Sequence, residues 1–288
     1  MRERLKRVVA LVAVVRFGRA LATSLGRGRI LAGWRGAAMV QPATITRMDR
    51  HPVLFALVAE RLSSPVAERL SSPVAERLSG HAAARLSDNT ALRLLSFGCS
   101  TGEEAFTLAR YCPGATIDAL DANPACIAQA RRAAEHGGDH GADHAVDHGA
   151  DHGADHGADQ SADRLHRKRI RFLCADTPDA VAPDQYDAVF CLSVLRHGDL
   201  ESRPALCTAL VPFARFAALV AALDARVPVG GLLVLWGCNF RFADTPTALR
   251  YRPVPSPAVE PHPGPFYGPD DRLLPDDRTA SFVFVKSG

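Results

Sequence analysis

The residues best equipped for chemistry are a glycine loop, two acids directly behind it and a third acid one strand further on. These are Gly98-Cys-Ser-Thr-Gly102, Glu103 and Glu104, and Asp121. The run Leu94–Ala109 reads as a buried strand, a tight turn and the start of a helix. Asp121 follows a second apolar run, about twenty residues later. An acid at that place accepts hydrogen bonds from ribose hydroxyls, while the glycines let the backbone approach a ligand closely. The loop is not the G-x-G-x-x-G of dinucleotide sites. A pyrophosphate on the helix N-terminus would meet the carboxylates of Glu103 and Glu104, which repel it. The pair suits a nucleoside that carries an amino group and no phosphate, which points away from NAD and towards S-adenosylmethionine. The plainer alternative is that the two acids only complement the dipole of the first helical turn.

The elements that must position these residues alternate along the chain. Strands are expected at Ala91–Cys99, Ala115–Ala122, Arg169–Ala175, Tyr186–Leu195 and Leu232–Gly237, with helices at Glu103–Tyr111, Pro124–His136 and Phe213–Val227. Strands this apolar, separated by helices, predict an α/β fold: a Rossmann-like, doubly wound, mostly parallel sheet with helices on both faces. Ser281–Val285 alternates like a final strand at a sheet edge, and 246–277 is Pro-rich and reads as irregular.

In this setting Leu94–Ala109 resembles the first motif of the class I S-adenosylmethionine-dependent methyltransferases. It is most similar to the chemotaxis-receptor (protein-glutamate) type, which also carries a Ser-Thr-Gly-Glu-Glu loop. Asp121-Ala-Asn-Pro-Ala-Cys-Ile-Ala-Gln-Ala130 resembles the second motif of that family, Tyr186–Leu195 its fourth-strand motif, and Gly230-Gly-Leu-Leu-Val-Leu235 the turn that opens its fifth strand. The resemblance implies S-adenosylmethionine as cofactor and methyl transfer to an oxygen or nitrogen of an acceptor that the motifs do not identify. It implies that Gly98, Ser100 and Gly102 shape the loop under the methionine part. Glu103, with Glu104 as alternative, would meet the amino group. Asp121 would hold the ribose, Ala122 and Asn123 flank the adenine, Asp176 bond its amino group, and Ser193 and Val194 line the cofactor. The family's aromatic residues after the fourth strand are replaced here by Arg196-His197, and its Glu-Glu-Pro by Glu-Glu-Ala. No helical receptor-docking domain is evident before residue 90. These departures argue against receptor methylation.

His197 follows a strand end at the carboxyl edge of the expected sheet, where it could take a proton from the acceptor; the alternative is a capping His. Asn239 and Arg241, after the fifth strand, are candidates for an anionic or carbonyl group of the substrate. Trp236 suits the core better than the site. Pro253–Tyr267 could fold over this rim as a lid. Two rival functions remain at this point: a cofactor-binding regulatory or scaffold protein without catalysis, and a nicotinamide-dependent oxidoreductase.

Composition bounds the rest. The chain has 288 residues and a net charge of +3, which implies no nucleic-acid partner. Seven cysteines without C-x-x-C spacing fit a reducing compartment, and the expected location is cytoplasmic. No apolar run reaches the roughly twenty residues of a membrane span. Residues 1–50 are basic and acid-poor, and are expected to be a poorly structured extension. A signal peptide is a weaker reading because Arg16 and Arg19 interrupt it, and a peripheral membrane anchor is the other alternative. Residues 51–89 form a helical segment with the eight-residue repeat Val-Ala-Glu-Arg-Leu-Ser-Ser-Pro, which Pro65 and Pro73 keep from becoming one helix. The expected methyltransferase domain spans 90–288. Within it an Asp-His-Gly-Ala repeat fills 137–163. Its glycines undermine a helix that would stack the histidines, so it reads as a disordered insertion with at most adventitious divalent-metal binding and no dedicated metal site.

Overall fold

The computed structural model describes residues 22–34, 46–63, 91–136, 167–262, 264–275 and 281–288. The eight-residue repeat beyond residue 63 and the Asp-His-Gly-Ala repeat lie outside the described residues.

Seven strands form one sheet in the order β3-β2-β1-β4-β5-β7-β6. They are β1 (Arg93–Phe97), β2 (Thr116–Asp121), β3 (Ile170–Cys174), β4 (Ala188–Leu192), β5 (Leu232–Trp236), β6 (Tyr251–Val254) and β7 (Val283–Lys286). The first five pair in parallel, and β7 runs antiparallel to both β5 and β6. All residues of β4 are buried, as expected of a parallel strand covered on both faces. Among the described residues the helices are α1 (Ser24–Trp34), α2 (Pro52–Ser63), α3 (Glu103–Tyr111), α4 (Pro124–His136) and α5 (Phe213–Asp224). The helices α2 and α4 both begin on proline, whose fixed φ and missing N–H suit a first helical position.

One face of the sheet packs under α2, α3 and α4. There Leu54, Phe55 and Val58 of α2 and Phe106 and Ile127 of α3 and α4 meet Leu94, Phe190 and Val234 of the strands. The other face packs under α5, whose Phe216, Val220 and Leu223 meet Val189, Cys191 and Leu233. The architecture is therefore a Rossmann-like, doubly wound α/β fold. It departs from the six-parallel-strand dinucleotide arrangement by the antiparallel β7 set between β5 and β6.

Two expectations change. The last strand is not an edge: β7 is interior, and the edge is β6, inside the stretch that read as irregular. Proline tolerates an edge position, and Pro253 occupies one here. What ties this hairpin down is a buried carboxylate, Asp224 at the end of α5. It accepts from the Tyr251 hydroxyl (2.9 Å) and pairs with Lys286 (3.1 Å) and Arg250 (2.5 Å). Secondly, the basic extension contains a helix: α1 docks beside the start of α4, where Asn123 Nδ2 donates to Leu25 O (2.9 Å). The seven cysteines are free thiols, and all but Cys174 are buried.

No helix among the described residues is long and apolar enough to cross a membrane, and no cluster of three metal-ligating side chains occurs among them.

Candidate functional site

The strand order reverses between β1 and β4, and ligands of open α/β sheets bind in the crevice beyond the carboxyl ends at such a point. The loop after β1 opens into this crevice. Gly98 N and Cys99 N both donate to Leu120 O (2.7 and 2.9 Å), so the loop is laid across the tip of β2. Gly98 has φ +80, and a Cβ there would stand 2.2 Å from Val194 Cγ2. Only glycine allows the β1 loop to lie this close to the β4 loop. Gly102 (φ +100) begins α3 without a side-chain cap, leaving the first amides of that helix to other partners.

Asp121 ends β2 and organises the crevice. Its Oδ2 accepts from Ser100 N (2.8 Å) and its Oδ1 from Asn123 N (2.7 Å). A carboxylate has about four lone-pair sites, so two bonds leave room for a diol. Burial raises its pKa above the usual aspartate range, and those two amides oppose the rise. Ser100 (φ +51) and Ser193 (φ +60) are non-glycine residues in the left-handed region, one on each lip of the crevice. Such conformations are uncommon and concentrate at functional sites. Ser193 N donates to Trp236 O (2.7 Å), and its Oγ is buried with no hydrogen-bond partner among the described residues. Ala122 and Asp176 sit half-buried at the tips of β2 and β3, whose ends are joined by Ala175 N donating to Asp121 O (3.0 Å).

The two acids behind the loop differ. Both oxygens of Glu103 accept from the Thr101 hydroxyl (2.8 and 2.7 Å), so this side chain is turned into the loop itself. Glu104 is partly exposed and accepts from Ser96 Oγ (2.7 Å) at the end of β1. Burial pushes its pKa up to about 7, against the opposing effects of Ser96 and Arg50. Glu103 is thus turned onto the loop, and Glu104, the second choice of the sequence reading, onto the end of β1.

Three further candidates have structural tasks. His197 Nδ1 accepts from Asp199 N (3.2 Å), capping the short 3-10 turn Gly198–Ser202. That bond is the capping role the sequence offered as the alternative to a base. Asn239 is fully buried. It accepts from His197 N (2.8 Å), donates to Pro265 O (2.9 Å), and ties the β4 loop, the β5 loop and the Pro-rich segment together. Arg241 pairs with Asp244 three residues on (2.8 Å). His197 and Asn239 are thus engaged in ordering the rim, and Arg241 is tied to its neighbour Asp244.

The rim holds other residues, of which the sequence reading named Trp236, as a core residue, and Arg196, but not Arg50, His51 or His262. Trp236, at the end of β5, has the His51 ring 4.1 Å away and the His262 ring 5.3 Å away, and the Arg50 guanidinium 6.0 Å from its own centre. Its indole N–H donates to Glu260 O (3.1 Å), which fastens the segment 253–267 to the rim. Burial lowers both histidines to about 4, helped by Arg50 beside His51 and by Arg196 beside His262. No local pattern marks this cluster, because its members come from segments about 50, 196, 236 and 262.

No family model matches the chain, and no curated protein matches it. Among solved structures it is similar to a protein from Corynebacterium glutamicum (16% identity, TM-score 0.35, covering 74% of this chain and 65% of that one). It is also similar to a precorrin-6y C5,15-methyltransferase from Geobacter metallireducens (16%, TM-score 0.31, 53% and 57%). A third is a SAM-dependent methyltransferase from Aquifex aeolicus (11%, TM-score 0.31, 62% and 71%). The chain thus spans less than two thirds of the length of the first two. Likenesses this distant assign neither substrate nor chemistry, and the fold rests on its own strand order.

Proposed function

We propose that this chain is a class I S-adenosylmethionine-dependent methyltransferase acting on an oxygen or nitrogen of an unidentified acceptor. The observation that carries the reading is the crevice at the β1/β4 reversal, in which Asp121 receives the Ser100 and Asn123 amides while acids, not phosphate-binding groups, occupy the first turn of α3. The residues present fit such a cofactor. Asp121 would hold the ribose hydroxyls, Ala122, Asn123 and Asp176 the adenine side, and Gly98, Ser100 and Gly102 would let the methionine part lie against the backbone. Glu104 would face its ammonium group, Glu103 would stiffen the loop, and Ser193 and Val194 would form the opposite wall.

When bound, S-adenosylmethionine supplies a methyl group on a sulfonium, open to displacement by a nucleophile held in line. The chain's own part is alignment and the exclusion of water, which can supply much of the acceleration without a dedicated base. Placing the charge-bearing Glu104 beside a cation also favours its ionised form. Methylation of chemotaxis receptors is a finer reading that the Arg196-His197 departure speaks against.

Calorimetry with S-adenosylhomocysteine and with NAD tests the assignment. We expect micromolar binding of the first, and binding of NAD alone would refute it. Labelled cofactor added to the protein in a cell extract separates the enzyme from a non-catalytic binding protein, since only the enzyme yields a labelled product.

A further inference from the structure

We propose that the carboxyl ends of β4 and β5 carry an oxyanion subsite. There the His262 Nε2–H and the guanidinium groups of Arg50 and Arg196 receive the carboxylate of a small organic acid, which is the handle of the methyl acceptor. The inference rests on the proposed function only in calling that acid a methyl acceptor.

The central observation is a donor without an acceptor. His262 is 0% exposed, and its Nδ1 accepts from Gly264 N (3.1 Å). Its proton is therefore on Nε2. That atom is buried and has no hydrogen-bond partner among the described residues. An unpaired buried N–H costs about 1–3 kcal/mol, a penalty that a ligand oxygen would remove. Because Nε2 donates, the ligand atom facing it must accept, and His262 is not the base.

The surrounding charges say what kind of acceptor fits. Arg196 and Arg50 lie near enough to His262 that their charges disfavour its protonation, and Glu201 is the acid facing it. Arg196 is already paired with Glu201, whereas Arg50 stands beside Trp236 with Glu104 as its opposing acid. Glu104 holds its proton part of the time near neutrality. Arg47, which acts on both Arg50 and His51, adds to this positive charge, so the cluster carries a positive surplus that an anion such as a carboxylate offsets. The partly exposed ring of Trp236 gives a flat apolar wall beside it. A carboxylate whose lone pairs are engaged by cationic donors is a weak nucleophile, so it anchors the acceptor while another of its groups takes the methyl.

The test uses the full chain, nitrogen-15 labelled and without cofactor, observing the His262 imidazole by NMR. Benzoate should shift that resonance saturably and raise the His262 pKa, and benzyl alcohol should do neither. Arg50→Gln should weaken benzoate by about tenfold or more, the loss of one charge-assisted contact. His262→Phe should abolish binding and His262→Gln, which keeps a donor, should restore part of it. If His262→Phe fails to fold, the wild-type titration and Arg50→Gln still decide. The proposal is overturned if benzyl alcohol binds as well as benzoate, if phenyl phosphate binds more tightly, or if Arg50→Gln binds benzoate like the wild type. Benzoate binding without S-adenosylhomocysteine binding would refute the proposed function instead, and the reverse would refute the subsite alone.

Discussion

The two halves of the crevice are built in opposite ways. The half at β1 and β2 is made of backbone, from residues 98 to 123, and the Asp121 side chain fixes the loop by accepting its amides. The half at β4 and β5 is made of side chains from four separate segments, held by Asn239 and by the Trp236 contact to Glu260. A cradle made by contiguous backbone accepts the same ligand wherever the motif occurs. A wall assembled from distant side chains can change with each chain, which is how one fold serves many acceptors.

The contrast can be broken most severely at Gly98. Gly98→Ala forces a Cβ into Val194 at a left-handed φ, and should remove S-adenosylhomocysteine binding and lower stability by about 2–4 kcal/mol in thermal unfolding. Adding Val194→Ala should return part of the loss, since it relieves the clash but not the strain. Asp121→Ala should weaken cofactor binding by about 1–3 kcal/mol in calorimetry. An unchanged affinity would mean that the ribose lies elsewhere.

Asn239→Ala sharpens the division, because it should act on one half only. It orphans His197 N and Pro265 O, so stability should drop by about 1–3 kcal/mol while cofactor affinity holds. A loss of cofactor affinity equal to that of Asp121→Ala would show that the halves are not separate.

Glu104 stands where the halves meet, and pH reads it. Its folded pKa of about 7 lies above its ordinary value, so the folded protein is favoured while the group is protonated and loses that advantage as pH rises through 7. Glu104→Gln should therefore raise the melting temperature at pH 8 and leave it unchanged at pH 4. Cofactor affinity in the wild type should tighten from pH 6 to pH 8, and the variant should lose that slope. His51 and His262 act in the other sense. Lowered to about 4, they withdraw stability as pH falls from 6.5 towards 4. The smallest effect belongs to His197→Ala, which removes a turn cap worth about 1 kcal/mol and should leave turnover intact. A hundredfold fall in kcat would restore His197 as a base.

The sequence by itself determined the doubly wound sheet, through apolar strands alternating with helices, and the glycine turn between β1 and α3 with an acid at the tip of β2, through the spacing of Gly98, Gly102 and Asp121. Those features are local: each depends on residues within one strand–turn–helix unit. It also placed every parallel strand to within a few residues. Only the tertiary structure decided that β7 is interior and that Pro253 lies on an edge strand, because Asp224 gathers Tyr251, Arg250 and Lys286 from across the chain. Only the tertiary structure, too, turned Glu103 onto Thr101 and Glu104 onto Ser96, set His197 as a turn cap, buried Asn239, and gathered His51 and His262 around Trp236. Side-chain partners such as His51 and Trp236 lie 185 residues apart. No periodicity can encode them, and packing alone brings them together.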